Sequence, residues 1–366
     1  MEKEQKRTGN SQKIMFSNNT RICLALSLAL PFFVGCASVQ RWIDKSSLEE
    51  TVQQILQEPL TGTPASLRAF VDTFDLEKAM LPLSEVHFTI RPLDHWVLST
   101  STQGPVIGEQ IRFPSALRKA GTVDSAIFYL YRTSELRAGK VILWVPGIGV
   151  SNLAFRFIRR FFQTELDQGY AVAVYVPPFH LERRVPGKEN GEGFFSADPL
   201  ANLDVILNMV RELRTMKDYL SQQGVKTIGG WGGSMGASAL LLLASLQPFD
   251  HLCLMIPVVD WRTVACDNPS LQPVTAKLFD LGYDRALLNK AYGLLSPINY
   301  TVQVPPSRIQ ILYAREDQLT PEAVTLDYAQ KIGVARIKGF ARSHATILLT
   351  PSLYKDYEWF LKNLEK

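Results

Sequence analysis

From about residue 86 onward, short runs of consecutive apolar residues alternate with longer stretches of helical spacing, and this restricts the fold more than any other feature. The runs fall at 126–131, Val141–Val145, Ala171–Val176, Thr227–Ile228, His251–Val259, Ile309–Tyr313 and Ala335–Lys338. Several are apolar throughout. A strand with one wet face alternates apolar and polar residues, so an unbroken run is expected of a strand buried on both faces of a parallel sheet. Helical segments lie between the runs. The clearest starts at Asp198-Pro199, repeats apolar residues at Leu203, Ile206, Val210, Leu213 and Leu220, and stops at Gly224. The expectation is an α/β fold, a mainly parallel central sheet flanked by helices with right-handed crossovers. In such sheets reactive groups gather at the carboxyl ends of the strands.

Three residues just past strands carry the chemistry. After Thr227–Ile228 comes Gly232-Gly233-Ser234-Met235-Gly236, and a helical run follows from Ala237 to Leu246. A serine at a sharp strand-to-helix turn is held in a strained backbone conformation, and glycines relieve the crowding beside it. Its hydroxyl then stands at a helix head, where the dipole favours an anion. Asp317 follows Ile309–Tyr313 in the turn 314–321, which ends in Pro321, and His344 follows Ala335–Lys338. The order Ser234, Asp317, His344 and the strand–turn–helix setting of G-x-S-x-G resemble the α/β-hydrolase superfamily over roughly residues 125–366. That resemblance implies an α/β-hydrolase fold and a serine hydrolase, with Ser234 as nucleophile, His344 as base and Asp317 as the acid orienting it. Asp260, after the run His251–Val259, is the rival acid. Val141–Val145 leads into Pro146-Gly147-Ile148-Gly149 where the superfamily often has His-Gly. The resemblance puts the oxyanion hole at the N–H groups of Ile148 and Met235, with Gly149 as the alternative to Ile148. It requires no cofactor and no metal, and no histidine is grouped with cysteines or carboxylates at ligand spacing.

Two insertions are expected to stand over Ser234, a loop at 177–198 and a cap-like segment at 261–307. Phe179, Phe194, Phe195, Trp261 and Tyr292 lend them apolar character; such rings either line an acyl pocket or anchor the insertions. Within the loop, His180, Arg183 and Arg184 are candidates for substrate contact, an arginine fork being suited to a carboxylate or phosphate. The alternative is a solvated pair of arginines, with Glu182 neutralising one of them and pinning the loop and His180 hydrogen-bonding the loop.

The N-terminus has the form of a targeting segment. Residues Ile22–Val34 are apolar and follow basic residues, and thirteen residues are too few to span a bilayer as a helix, which needs about 20. The run ends in Phe33-Val34-Gly35-Cys36, which resembles the bacterial lipobox, with Phe33 where Leu is usual. The resemblance implies residues 1–36 as a lipoprotein signal, with Cys36 lipidated; the alternatives are an uncleaved anchor or a plain signal peptide. Ala37 in place of Asp implies the outer membrane of a bacterial envelope. Initiation at Met15 would give a more usual signal length. Residues 37–85 read as a helical, peripheral stretch that links the anchor to the catalytic body or packs on it, with Thr63-Pro64 a helix start, and 86–366 as the catalytic domain. Cys253 reads as core, and a bridge from it to Cys266 would have to run back along its own strand.

Charge excludes one class of partner. Residues 1–35 carry five basic and two acidic side chains, which leaves 34 basic against 33 acidic in the remainder. A near-neutral body offers no general pull on nucleic acid. The sequence therefore points to hydrolysis of a carboxylic ester, lipid or small acyl, with the membrane reached through an N-terminal lipid. A peptidase or acyltransferase using the same triad, and a non-catalytic envelope lipoprotein using the fold for binding, remain as alternatives.

Overall fold

The computed structural model describes residues 36–364 apart from 94–99, 120–121, 138 and 151. The targeting run, Phe33 to Gly35 and His95 lie outside the described residues. Three helices precede the sheet: α1 (Ala37–Gln57), α2 (Pro64–Thr73) and α3 (Leu76–Ala79). The strands are β1 (Thr89–Pro92), β2 (Thr100–Ser101), β3 (Gly104–Pro105), β4 (Ile107–Lys119), β5 (Thr122–Arg132), β6 (Lys140–Val145), β7 (Tyr170–Val176), β8 (Thr227–Gly233), β9 (Leu252–Met255), β10 (Ile309–Ala314) and β11 (Arg336–Phe340). The remaining helices are α4 (Asn152–Asp167), α5 (Pro199–Gln222), α6 (Met235–Leu246), α7 (Trp261–Ala265), α8 (Gln272–Asp280), α9 (Arg285–Gly293), α10 (Glu322–Ile332) and α11 (Pro351–Lys362).

Nine described strands form one sheet in the order β1-β4-β5-β7-β6-β8-β9-β10-β11. From β7 to β11 every neighbour is parallel, and β1, β4 and β5 extend the β7 edge antiparallel. The unbroken apolar runs are explained by burial on both faces. In β6, Val141, Leu143 and Val145 join the core that contains α5 and α6, while Ile142 and Trp144 join the core that contains α4 and α11. The helix α6 is buried all round, so its sequence is almost entirely apolar.

Three expectations change. The run expected as strand from His251 to Val259 is a strand only from Leu252 to Met255. Ile256 gives its N–H to Leu312 O at 2.7 Å as the last bond of that ladder, and its φ of 43° turns the chain away beyond it. Conversely, β8 continues five residues beyond Thr227–Ile228 through Gly229, Gly230, Trp231, Gly232 and Gly233. The third change concerns residues 37–85, which are helical and pack on the body but more deeply than a peripheral stretch would: Val52, Ile55, Leu67 and Met80 are buried in the main core. Cys253 and Cys266 are buried and unbridged, and Cys36 is exposed. No described helix is long and apolar enough to cross a membrane.

Candidate active site

Ser234 alone makes the turn between β8 and α6, at φ 52° and ψ −119°. A positive φ is costly for a residue with a side chain and persists only where the surroundings impose it. Here they do. The Ser234 N–H donates to Met255 O at 2.8 Å, and its carbonyl accepts from the N–H groups of Ala237 and Ser238 at 3.1 and 3.2 Å. The flanking glycines let backbones touch. A Cβ at Gly232 would sit 2.6 Å from the Ala237 Cα, and one at Gly236 would sit 2.1 Å from the Val145 carbonyl oxygen. Both contacts press the head of α6 against its own strand and against the loop after β6.

The loops after β10 and β11 deliver two more side chains to the same edge. His344 Nε2 lies 2.9 Å from Ser234 Oγ, and His344 Nδ1 lies 2.7 Å from Asp317 Oδ2. Asp317 is held in turn by the N–H groups of Leu319 and Thr320, at 2.8 and 2.7 Å, and by the Thr320 hydroxyl at 2.6 Å. With acceptor-only Asp317 on Nδ1, that nitrogen carries the proton and Nε2 is free to accept from the serine hydroxyl. Burial works against a charged His344. The charge and hydrogen bond of Asp317, and then the charge of Asp44, outweigh it, so the imidazole pKa is raised. Asp260 faces elsewhere: it caps α7 and binds the Arg262 guanidinium at 2.8 and 2.6 Å and Ser296 Oγ at 3.0 Å.

The loop after β6 lies against the serine, with a Cβ at Gly147 only 3.1 Å from that of Ser234. Gly149 donates its N–H to His180 Nε2 at 2.8 Å. The N–H groups of Ile148 and Met235 donate to no group among the described residues, so Ile148 rather than Gly149 has a donor to offer. This contact also favours the plainer reading of His180, a hydrogen bond within the loops, over substrate contact. Its ring is fully buried, Nδ1 meets Pro178 O at 2.7 Å, and it props the loop rather than facing substrate. Arg183 is likewise displaced from the expected role. It is buried, binding Asp124 at 2.8 Å, Glu212 at 2.8 and 3.0 Å and Val176 O at 2.9 Å. Arg184 is exposed and away from the pocket, and Glu182 accepts from the Tyr129 hydroxyl.

Above Ser234 and His344 opens a cavity of about 470 Å³. Both insertions border it, 177–198 through Gly191 and Phe195 and 261–307 through Trp261, Val264 and Leu271. Of the other expected aromatics, Phe194 and Tyr292 are buried in the packing and Phe179 lies against Gly193, so these anchor the insertions. The wall that sequence reasoning missed is α1, which presents Asp44, Leu48, Val52 and Ile55 to the cavity. Gln40 and Asp44 on the same stripe reach the loop carrying His344. A signal existed: positions 40, 44, 48, 52 and 55 follow helical spacing, with two polar members on an otherwise apolar stripe. Among the described residues, no group of three or more His, Cys, Asp or Glu side chains could hold a metal.

A scan against protein-family models and a sequence search of curated proteins each returned no match. Similar solved structures include an acetyl xylan esterase from Paenibacillus sp. R4, at TM-score 0.51 and 13% identity, covering 86% of this chain and 98% of that one. Acetyl xylan esterase 1 from Thermoanaerobacterium sp. JW/SL YS485 aligns at TM-score 0.54 and 14% identity, covering 88% and 98%. The chain has an α/β-hydrolase fold. At such identities the likeness extends to architecture alone, and any reading of chemistry rests on the geometry of Ser234, His344 and Asp317 described above.

Proposed function

We propose that this chain is a serine hydrolase that cleaves carboxylic esters with an apolar acyl group through an acyl-enzyme. The observation that carries the reading is the hydrogen-bonded series Ser234–His344–Asp317 at the floor of a cavity walled mainly by apolar side chains. Ser234 Oγ attacks the ester carbonyl while His344 Nε2 takes its proton. The N–H groups of Met235 and Ile148 receive the oxyanion, and Asp317 stabilises the imidazolium. The C–O bond to the alcohol breaks as His344 returns the proton to the leaving oxygen. Water, deprotonated by His344, then attacks the acyl-serine, and the acid leaves with Ser234 restored. Both similar structures are of esterases, which fits an ester rather than an amide substrate. The cavity falls within the range of small-molecule sites.

The test combines a fluorophosphonate probe with a panel of p-nitrophenyl esters of increasing acyl length and peptide anilides. The expected result is labelling of Ser234, faster turnover of esters than of anilides, and loss of about 10⁶-fold in kcat for Ser234→Ala. Anilides cleaved faster than esters would make the chain a peptidase. Undiminished turnover in Ser234→Ala, or no labelling, would remove the assignment.

A further inference from the structure

The Asp44 carboxylate gathers three backbone donors. Oδ2 accepts from the N–H of His344 at 2.8 Å and of Gln318 at 3.1 Å, and Oδ1 accepts from the N–H of Ala345 at 3.0 Å. One donor is the triad histidine itself, and another belongs to the residue after Asp317. The two loops come from different strands, β10 and β11, and Asp44 joins them from a third element. One turn earlier on α1, Gln40 Oε1 accepts from the Ser343 N–H at 3.0 Å and from the Thr346 hydroxyl. Together the two side chains take up donors across 343–346, a loop with no ladder of its own. We infer that Asp44 is a positioning residue for catalysis, fixing the His344 loop against the Asp317 loop and completing the negative surroundings of the imidazole from α1. The inference rests on the serine-hydrolase reading above.

A neutral acceptor would hold the loops less firmly, because hydrogen bonds to an ionised group are stronger. Charge also matters for its own sake. Two carboxylates near one another repel, and a cation between them relieves the repulsion. The charged groups facing the imidazole are Asp317 and Asp44, and those facing Asp44 are His344 and Asp317. The neighbouring Arg41 on α1 is turned outward to Glu316 at 2.6 Å. The imidazolium formed when Ser234 loses its proton is therefore flanked by two carboxylates, one on its ring and one on its backbone.

The experiment uses the whole chain with Asp44→Asn, Asp44→Glu and Lys45→Gln, the last an exposed control on the same helix. Asp44→Asn is expected to lower kcat by on the order of 10 to 10²-fold, the scale of a small misplacement of a catalytic group, with KM little changed. Its acid limb of kcat/KM should move to lower pH, because one anion near His344 is gone. Asp44→Glu keeps the charge but displaces it, so kcat falls while the acid limb stays. Lys45→Gln should match the parent. Unchanged kcat and acid limb in Asp44→Asn, or a loss confined to KM, would overturn the inference. If Asp44→Asn does not fold, Asp44→Glu decides: parental kcat would overturn it. Should the parent chain turn over no ester, the reading of function fails, and the inference is then judged by the His344 imidazole titration in NMR spectra. That titration must move to lower pH in Asp44→Asn.

Discussion

At the scale of single residues, the site is decided by which acid meets the histidine. Sequence left Asp317 and Asp260 as rivals because both follow strands at the reactive edge, and position along a chain does not report direction. Asp317 Oδ2 is 2.7 Å from His344 Nδ1, whereas both oxygens of Asp260 are taken by Arg262. Asp317→Asn is expected to cost roughly 10⁴-fold in kcat, since an amide donor opposite Nδ1 favours the wrong tautomer. Asp260→Asn should lower stability and leave kcat near the parent value. Steady-state kinetics of the two variants check this, and a severe kcat loss in Asp260→Asn alone would exchange the roles. Ser234, Asp317 and His344 were legible because each stands after a strand within a recognisable turn. His180 and Arg183 were less legible for the opposite reason. Their residue types suit ligand binding, but burial and partners decide their work, and Asp124, Glu212 and Gly149 lie far from them in sequence.

At the scale of elements, the glycines both hid and made the structure. Four of the seven residues after Lys226 are glycine, a composition that argues against a strand. Yet a Cβ at Gly229 would lie 2.1 Å from the His251 ring, and one at Gly230 would lie 2.7 Å from Leu252 Cδ2. The glycines of β8 exist for its neighbours, which a single strand's sequence does not display. The helix α5 was legible from both ends, but its cap does more than the pattern foretold. Asp198 accepts from Leu200 N–H at 3.0 Å and also from Thr61 N–H and hydroxyl and Gly62 N–H, at 3.0, 2.9 and 2.6 Å. It thus ties the segment after α1 to the head of α5. Asp198→Ala is expected to cost about 2–3 kcal/mol, a lost cap plus donors left without a partner. Burial opposes its ionisation, but the donors from Gly62, Thr61 and Ala201 outweigh it and lower its pKa. Its contribution is therefore complete above the ordinary carboxylate range and is lost as pH falls through the lowered value. Denaturant midpoints measured from pH 7 downward should converge for parent and variant; a constant gap would remove the ionised cap from the account.

At the scale of the whole molecule, α1 connects the site to the start of the described chain. It begins directly after Cys36 and reaches Asp44 eight residues later, about 12 Å at the rise of a helix. We propose, from its lipobox-like setting, that Cys36 carries lipid, in which case the cavity wall starts at the bilayer surface. Trp42, half-exposed on α1, lies within that first stretch, and such side chains favour the membrane–water boundary. An ester in the same membrane would then be met at high effective concentration, without any change in the site itself. Cys36→Ser is expected to abolish acylation of the chain, read by mass spectrometry of the protein from a bacterial host. Turnover of an ester embedded in vesicles should fall by roughly 10²-fold, the order by which tethering raises local concentration. Turnover of a short soluble ester should not change, because Cys36 touches neither Ser234 nor His344. Equal losses on both substrates would mean that Cys36 supports the fold of α1 instead. Acylation that persists in Cys36→Ser, or none in the parent, would end the proposal of a lipid at this position.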